Sequence, residues 1–402
     1  MRADLLVHDI TRLYTCAPDA PGLGMLERAS VAFLEGEVAW VGPAVHAPES
    51  DEVIDGSGLV GLPGLVDPHT HAVWAGSRSD EFRRRLAGVP YTEILEAGGG
   101  ILSTVRATRE ATREDLAAAG RARLAGLRAH GVTTVEVKSG YGLDADTEVR
   151  LLQAAWDCND TVRVVPTFLG AHAIPPEWRH DRAAYVAQVI EEQLPRCAPL
   201  ADFVDVYCDR GAFTVAETEA ILRAGAALGL GLKCHAKQVA FTGAAAAAAR
   251  LGATSVEHLE RVDDAGIQAL AEAGTVAVLL PGAQLYLRDS APPVAALRAA
   301  GVPIALGTDL NPGSSPVHDP WAVATLGCVL QGLTIEEAVL GLTRNAGLAV
   351  GRPELGWIGP GSVGDLALFA PPPGEPPAVA GLVQHLGGHR AVAVIRDGVQ
   401  VA

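Results

Sequence analysis

Two histidines spaced two residues apart, His69 and His71, lie at the polar end of the apolar run GLVGLPGLVDPHTH. Side chains two apart on a strand point the same way, so both imidazoles can offer a nitrogen lone pair to one divalent cation. An isolated pair of this kind is more often structural than metal-binding, so further ligands are needed. His235, His258 and Asp309 can supply them, because each also ends an apolar run. The spacing therefore favours a site for a single metal ion.

This ligand set predicts hydrolysis. Three imidazoles and one carboxylate suit a zinc or iron ion that still has room for water. The ion lowers the pKa of that water towards about 7 and polarises a carbonyl, so that no protein nucleophile is needed. Asp309 can bind the metal, accept a proton from the attacking water and return it to the leaving nitrogen. His258 is either a further ligand or a residue that polarises the substrate carbonyl.

The elements that must position these residues are eight apolar, β-rich runs that alternate with helical stretches. The runs are GLVGLPGLVDPHTH, GVTTVEVKS, TVRVVPTFLG, ADFVDVYCD, GLGLKCHA, GATSVEHLE, GTVAVLLPG and GVPIALGTD. Strands that alternate with helices predict a parallel sheet, and eight of them predict a (β/α)8 TIM-like barrel. The active site of such a barrel lies at the C-terminal ends of the strands, where every candidate ligand falls.

Short alternating segments at both ends of the chain predict a second, smaller domain. Residues 1–58 and 352–402 are expected to pair into one composite β-sandwich domain, which flanks a barrel of residues 59–351. The connection at residues 72–130 is longer than one helix requires and contains Arg78, Tyr91 and three consecutive glycines at 98–100. We expect this connection to form a lid over the barrel mouth.

Composition excludes several classes of function. The formal net charge is -16, which argues against binding to nucleic acid or to an anionic membrane surface. No run approaches the roughly 20 apolar residues that a membrane span needs, and the N-terminus has no signal-peptide pattern. The six cysteines are scattered without paired spacing, which favours reduced thiols and a cytoplasmic protein.

Longer motifs around these residues resemble the amidohydrolase superfamily over essentially the whole chain. The motifs are PGLVDPHTH, VEHL and GTDLNPGSS. Within the superfamily, KSGYGL, FLGAHAIPPE and TDLNPGSSP closely resemble the imidazolonepropionase family. The resemblance implies hydrolytic opening of the ring of 4-imidazolone-5-propanoate, a small anionic substrate, to N-formimidoyl-L-glutamate in histidine degradation. It also implies one zinc or iron ion per subunit and a homodimer.

The resemblance assigns roles to individual residues. It places His69, His71, His235 and Asp309 on the metal and His258 beside it as a catalytic residue. It implies that the substrate contacts Arg78, Tyr141, His172, Gln238 and Ser314, and the opened product also Asn311 and Gly313. Physical chemistry supports part of this, because Arg78 can give a carboxylate a two-pronged hydrogen bond, while Tyr141 and Ser314 add donors. Tyr91 in the predicted lid is a further candidate for substrate binding.

Two positions and two alternatives qualify this interpretation. Gln238 stands where some relatives have a carboxylate, and since an amide cannot take up a proton, proton transfer falls to Asp309 and His258. Lys138 ends the second run. In dinuclear members of the superfamily, the lysine that bridges the two metals comes from a later strand. We therefore predict one metal ion here, with Lys138 in a charged network near the site. The alternatives are an aminohydrolase of a purine or related heterocycle, and a non-catalytic barrel that serves in assembly or binding.

Overall fold

The computed structural model describes residues 2–89, 93, 98–236 and 242–402. Five strands come first along the chain: β1 (Arg2–Tyr14), β2 (Met25–Leu34), β3 (Glu37–Pro43), β4 (Glu49–Asp55) and β5 (Val60–Pro63). β1 pairs antiparallel with β2 and parallel with both β4 and β5. These strands build the smaller of the two structural units.

The centre of the molecule is a barrel of eight parallel strands. The strands are β6 (Leu65–Asp67), β7 (Val132–Lys138), β8 (Arg163–Ala171), β9 (Phe203–Cys208), β10 (Gly231–Ala236), β11 (Ser255–His258), β12 (Val276–Leu279) and β13 (Ile304–Leu306). Each pairs with its neighbour in chain order. A parallel bridge between Thr70 and Leu310 joins the two ends of the sheet, beside a 3.0 Å hydrogen bond from the Asp309 amide to the His69 carbonyl. The first and last strands therefore meet at the ligand candidates.

Helices cover the outside of the barrel. Among the described residues they span Ser79–Leu86, Ile101–Glu110, Arg113–Arg128, Ala145–Trp156, Arg182–Gln188, Leu194–Cys197, Val215–Ala227, Ala244–Arg250, Asp264–Ala273, Pro281–Leu287, Val294–Ala299, Pro320–Gln331, Ile335–Gly341, Arg344–Ala349 and Val379–Gln384. A π-helical turn at Val189–Gln193 and short 3-10 turns at Ala44–His46, Pro176–Trp178 and Ala198–Leu200 complete them. In the part of the chain that is described, no helix combines the length and the apolar character needed to cross a membrane.

Local sequence explains where several helices begin. Thr112, Thr214 and Thr334 each cap a helix, and the acidic residue three positions later returns a hydrogen bond to the capping residue. This reciprocal arrangement satisfies two backbone N–H groups that the first helical turn leaves without partners. The capping residues therefore define where these three helices begin.

The two ends of the chain share a second sheet. Its C-terminal strands are β14 (Leu366–Phe369), β15 (Ala391–Arg396) and β16 (Val399–Gln400). The order is β16-β15-β14-β5-β1-β2-β3, with β4 paired to β1. Apolar side chains of β1, β2, β3, β14 and β15 form a core of their own around this mixed sheet. The predicted barrel with a small β domain from both termini is confirmed, and all eight strands of that domain are hydrogen-bonded in one sheet.

The first apolar run is divided between the two sheets. Val60–Pro63 pairs with β1 and β14, whereas Leu65–Asp67 pairs with β7 in the barrel. Gly64 lies at the division, and a Cβ there would come within 2.6 Å of the Thr133 side chain. Only glycine allows so close an approach of the backbone to that side chain. The periodicity of the sequence alone could not show that one apolar run contributes to two sheets. The domain limits at residues 58 and 352 remain a prediction.

Candidate metal centre and active site

The predicted ligands converge at the C-terminal mouth of the barrel. His235 lies on β10 and His258 ends β11, while His69, His71 and Asp309 follow the ends of β6 and β13. All five side chains are buried, with at most 3% of each residue exposed. Short strands with polar residues at their ends thus deliver side chains from four strands to one point, as expected for a barrel of this kind.

Their distances fit a shared cation. Nε2 of His69 and Nε2 of His71 lie 3.5 and 3.8 Å from Oδ1 of Asp309. The rings of His69 and His235 have centroids 4.5 Å apart, and His235 and His258 are 5.5 Å apart. Within each of two sets, His69 with His71 and Asp309 and His69 with His235 and His258, the donor atoms lie within 4.8 Å of one another. The structure therefore brings together all the ligands that sequence reasoning named.

The buried nitrogens support a metal at this point. Among the described residues, Nε2 of His69 and Nε2 of His235 have no hydrogen-bond partner. A buried polar atom without a partner is costly, and a metal ion would satisfy both. Burial also lowers the pKa of His69 and the pKa of His71 well below the ordinary value, which keeps the lone pairs available. The residues present fit a zinc- or iron-type ion.

Two of these residues have unusual backbone conformations. His258 has φ of 72° and Asp309 has φ of 52°, in the left-handed region that residues other than glycine seldom adopt. Such a conformation costs about 1–3 kcal/mol and persists only where surrounding contacts enforce it. The Asp309 amide donates to the His69 carbonyl, and the Asn311 side chain donates to the Asp309 carbonyl at 2.7 Å. These contacts aim the Asp309 carboxylate at the histidines.

The acid–base groups have perturbed pKa values. Burial raises the pKa of Asp309 to about 6, although His258 and His235 oppose the rise. Burial lowers the pKa of His258, but the Glu260 and Asp309 carboxylates outweigh it and leave that pKa above its ordinary value. A carboxylate with a pKa near neutrality can both accept and return a proton, which is the role predicted for Asp309.

Tyr141 and His172 lie next to the histidine cluster. The His172 ring stacks on His71 at 5.1 Å with an interplanar angle of 16°, and Tyr141 lies 5.7 Å from His71. Nδ1 of His172 donates to the Gly140 carbonyl at 3.0 Å, which leaves Nε2 as an acceptor. Burial lowers the pKa of His172 to about 3, so the ring is neutral.

The loop that carries Tyr141 is held by a residue that sequence reasoning missed. Glu148 is fully buried and accepts hydrogen bonds of 2.7–2.8 Å from the amides of Gly140, Gly142 and Leu143. Burial raises the pKa of Glu148, while these hydrogen bonds oppose the rise. A carboxylate five residues after a glycine-rich turn is the only signal the sequence offers for this role.

Arg78 is held at the mouth by two neighbours. Its guanidinium makes two hydrogen bonds to Glu81, at 2.6 and 3.0 Å, and Glu81 also accepts from the Gly100 amide. On its other side the guanidinium lies against Gly313, where a Cβ would come within 2.5 Å of Cζ. Tyr141 lies within electrostatic range of both Arg78 and Asp309. Arg78 and the candidate ligand Asp309 therefore both act electrostatically on Tyr141.

Asn311, Gly313 and Ser314 form one turn. Oδ1 of Asn311 accepts from the amides of Gly313 and Ser314, both at 2.8 Å, and its Nδ2 lies 3.0 Å from Oγ of Ser314. The Asn311 amide group therefore shapes the loop in this state. Tyr91 and Gln238 lie outside the described residues, so their predicted contacts remain predictions.

Five buried charged residues form a layer beneath the candidate ligands. Sequence reasoning identified only one of them, Lys138. The other members are Glu136 on β7, Asp205 on β9, Lys233 on β10 and Glu257 on β11. Each is wholly buried. The signal was present, because each is a charged residue inside an otherwise apolar barrel strand, where charged residues are rare unless they are paired.

Sequence reasoning also missed Asp67. Burial raises the pKa of this carboxyl to about 7, while it accepts hydrogen bonds from Thr308.

Comparison with known proteins agrees with this geometry. Residues 85–402 match the amidohydrolase family. The chain is 49% identical over 366 residues to an imidazolonepropionase of Caulobacter vibrioides, covering 89% of this chain and 91% of that protein. It is 46% identical over 395 residues to an imidazolonepropionase of Ralstonia nicotianae, covering 96% of each chain.

Solved structures share the fold at much lower identity. An adenosine deaminase from Xanthomonas campestris with bound zinc superposes with a TM-score of 0.76 at 20% identity, covering 99% of this chain and 93% of that chain. Atrazine chlorohydrolase from Arthrobacter aurescens, complexed with zinc, gives a TM-score of 0.72 at 17% identity, with 99% and 95% covered. At this level of identity the likeness establishes the architecture and not the substrate.

Proposed function

The chain belongs to the amidohydrolase family and, within it, to the imidazolonepropionases, and from this premise we propose that it hydrolyses 4-imidazolone-5-propanoate to N-formimidoyl-L-glutamate with one zinc or iron ion. The reaction is a step of histidine degradation. The observation that carries the proposal is the convergence of buried histidines with Asp309 at a mouth that also holds Arg78.

His69, His71, His235 and Asp309 would hold the metal. The bound ion supplies Lewis acidity, which polarises the ring carbonyl and makes water easier to deprotonate. Zinc in two structures of the same fold supports a metal here, and the buried nitrogens without partners support it independently. Imidazole and carboxylate donors suit either zinc or iron, so the choice between them rests on metal analysis.

Asp309 acts as the base and then as the acid. Water attacks the ring carbonyl carbon while Asp309 accepts its proton, and the bond from that carbon to the adjacent ring nitrogen breaks as the proton passes to nitrogen. A pKa of about 6 leaves most of the Asp309 carboxylate ionised at neutral pH yet makes its acid form strong enough to protonate the leaving group. His258 lies beside it and donates a hydrogen bond to the carbonyl oxygen.

The remaining residues orient the substrate. Arg78 binds the propanoate carboxylate, since a guanidinium offers paired donors to a planar anion. Tyr141, His172 and the turn of Asn311, Gly313 and Ser314 border the same space, and we assign them to the ring and the opened product. Tyr91 and Gln238 are proposed as further contacts on sequence grounds alone.

We also propose a homodimer in the cytoplasm. The scattered, unpaired cysteines, five of them buried, suit a reducing compartment. Light scattering after size-exclusion chromatography measures the oligomer, and fractionation of the source cells measures the compartment.

The test is an assay of purified protein with imidazolone propanoate, followed by loss of imidazolone absorbance, with adenosine and guanine as controls. We expect turnover of the imidazolone alone; turnover of a purine instead would replace the proposal with the aminohydrolase alternative. Asp309→Asn should retain most of its metal and lose activity at least a hundredfold, the typical contribution of a positioned acid–base group. Near-normal turnover with metal bound would exclude the proton-transfer role.

A further inference from the structure

The Lys138 ammonium lies within a cage of three buried carboxylates. Its Nζ is 2.8 Å from Oδ2 of Asp205, 3.0 Å from Oε1 of Glu136 and 3.4 Å from Oε2 of Glu257. All four side chains have no exposed surface. Buried carboxylates that converge in this way repel one another strongly, and a cation between them offsets that repulsion.

The same carboxylates reach the metal-ligating histidines. Asp205 Oδ2 lies 2.8 Å from Nδ1 of His235, and Glu257 Oε2 lies 3.3 Å from Nδ1 of His69. A carboxylate beside Nδ1 favours the tautomer that carries its hydrogen there, which leaves Nε2 to the metal. The orientation of both ligands therefore depends on where Asp205 and Glu257 lie, and Lys138 contacts both of them.

The cage also has the donors of a cation site. Asp205, His235 and Glu257 bring donor atoms within 4.8 Å of one another, as do His69, Glu136 and Glu257. Both sets share Glu257, and the Lys138 ammonium contacts carboxylates of both. Carboxylate and imidazole donors in such sets would suit a second divalent ion if the ammonium were removed.

We propose that Lys138 is a built-in cation that takes the place of a second metal ion and positions Asp205 and Glu257 against the metal-ligating histidines. The inference rests on the proposed metal centre. It assigns Lys138 a positioning role and explains why the site takes one metal ion, although the donors for more are present.

Lys233 provides a matched control. It is equally buried and lies 3.2 Å from Glu136 and 3.7 Å from Glu257, over the ring of Phe203. Its described contacts do not include Asp205, and it is farther than Lys138 from Glu257. Replacing either lysine by methionine removes one buried charge at similar volume, so only the position of that charge differs.

The experiment loads wild type, Lys138→Met and Lys233→Met with zinc, removes free zinc by gel filtration and measures zinc per chain by mass spectrometry. Competition with a chromophoric chelator gives the affinity of each site. We expect one zinc in wild type and in Lys233→Met, but two in Lys138→Met, with the first bound about 10- to 100-fold more weakly, the usual effect of a lost supporting contact. Asp205→Asn should weaken the single zinc by a similar factor.

One zinc of unchanged affinity in Lys138→Met would overturn the inference, as would two zincs in Lys233→Met. If Lys138→Met does not fold, the double variant Glu136→Gln/Lys138→Met keeps the charge balance of the layer, and it should still bind two zincs through Asp205 and Glu257. A double variant with one zinc overturns the inference. Wild type without metal would instead refute the proposed metal-dependent function, which separates the two failures.

Discussion

Replacing Gly313 by alanine tests whether the turn after Asp309 holds Arg78 in its binding position. A Cβ at residue 313 would lie 2.5 Å from Cζ of Arg78 and closer still to Nη1. Carbon atoms in contact are normally about 3.5–4.0 Å apart, so the guanidinium or the turn must move by about 1 Å. The guanidinium cannot simply swing aside, because two hydrogen bonds fix it to Glu81.

The expected loss follows from the contact that this movement breaks. A hydrogen bond to a charged group contributes about 1.5–3 kcal/mol. At 1.36 kcal/mol for each factor of ten, kcat/KM for imidazolone propanoate should fall about 10- to 100-fold. Because Arg78 is proposed to bind the propanoate and not the reacting carbon, most of the loss should appear in KM.

The assay compares Gly313→Ala with Gly126→Ala, a substitution inside the helix Arg113–Arg128, which carries none of the candidate site residues. A Cβ at residue 126 meets only His318, at an ordinary 3.9 Å, so this control should keep wild-type kinetics and gain up to about 1 kcal/mol of stability. Thermal melting of both variants separates misplacement of Arg78 from loss of fold. A folded Gly313→Ala enzyme with wild-type KM would refute the role given to Arg78 and Gly313.

Three further predictions concern stability and metal. Glu148→Ala should lower the free energy of unfolding in urea by about 1–3 kcal/mol, because the buried amides of Gly140, Gly142 and Leu143 lose their acceptor; an unchanged value would contradict this. The hydrogen bond with Arg298 lowers the pKa of Glu337 below its ordinary 4.5, so Glu337 stabilises the fold above pH 4.5 and this contribution disappears as pH falls through the folded-state pKa. The stability gap between wild type and E337Q, measured by urea unfolding, should therefore be largest at neutral pH and close in acid; a gap independent of pH would exclude this origin. Removing metal with a chelator should abolish activity and lower Tm, and adding zinc at 100 times its Kd should restore about 2.7 kcal/mol of stability, whereas an unchanged Tm would argue against a bound metal.

Strand ends were the part of the molecule that sequence reasoning could locate. A barrel strand is buried on both faces, so most of its residues are apolar, and polar side chains become frequent where it reaches the mouth. His235, His258 and Asp309 stood out for that reason, and the structure brings them to His69 and His71. The pattern could be interpreted from one chain because it needs no knowledge of which strands are neighbours.

The residues that support the site were harder to predict because their partners lie far away in the chain. Lys138 contacts Asp205 and Glu257 on other strands, and only the closed barrel brings them within hydrogen-bond reach. Glu81 and Glu148 act on loops whose conformation the sequence does not specify. A charged residue in an apolar strand signals that a partner exists, but it does not identify the partner.

The division of the first apolar run between two sheets at Gly64 affects how the active site forms during protein synthesis. The strand before Gly64, β5, is completed by β14, which leaves the ribosome long after β5 does. Until then β5, which leads through Gly64 into β6 and His69, is paired with β1 alone and has one open edge. We therefore expect the candidate metal site to reach its final rigidity only after the C-terminal strands have paired. We expect truncation before β14 to weaken metal binding, even though all the candidate ligands are still present.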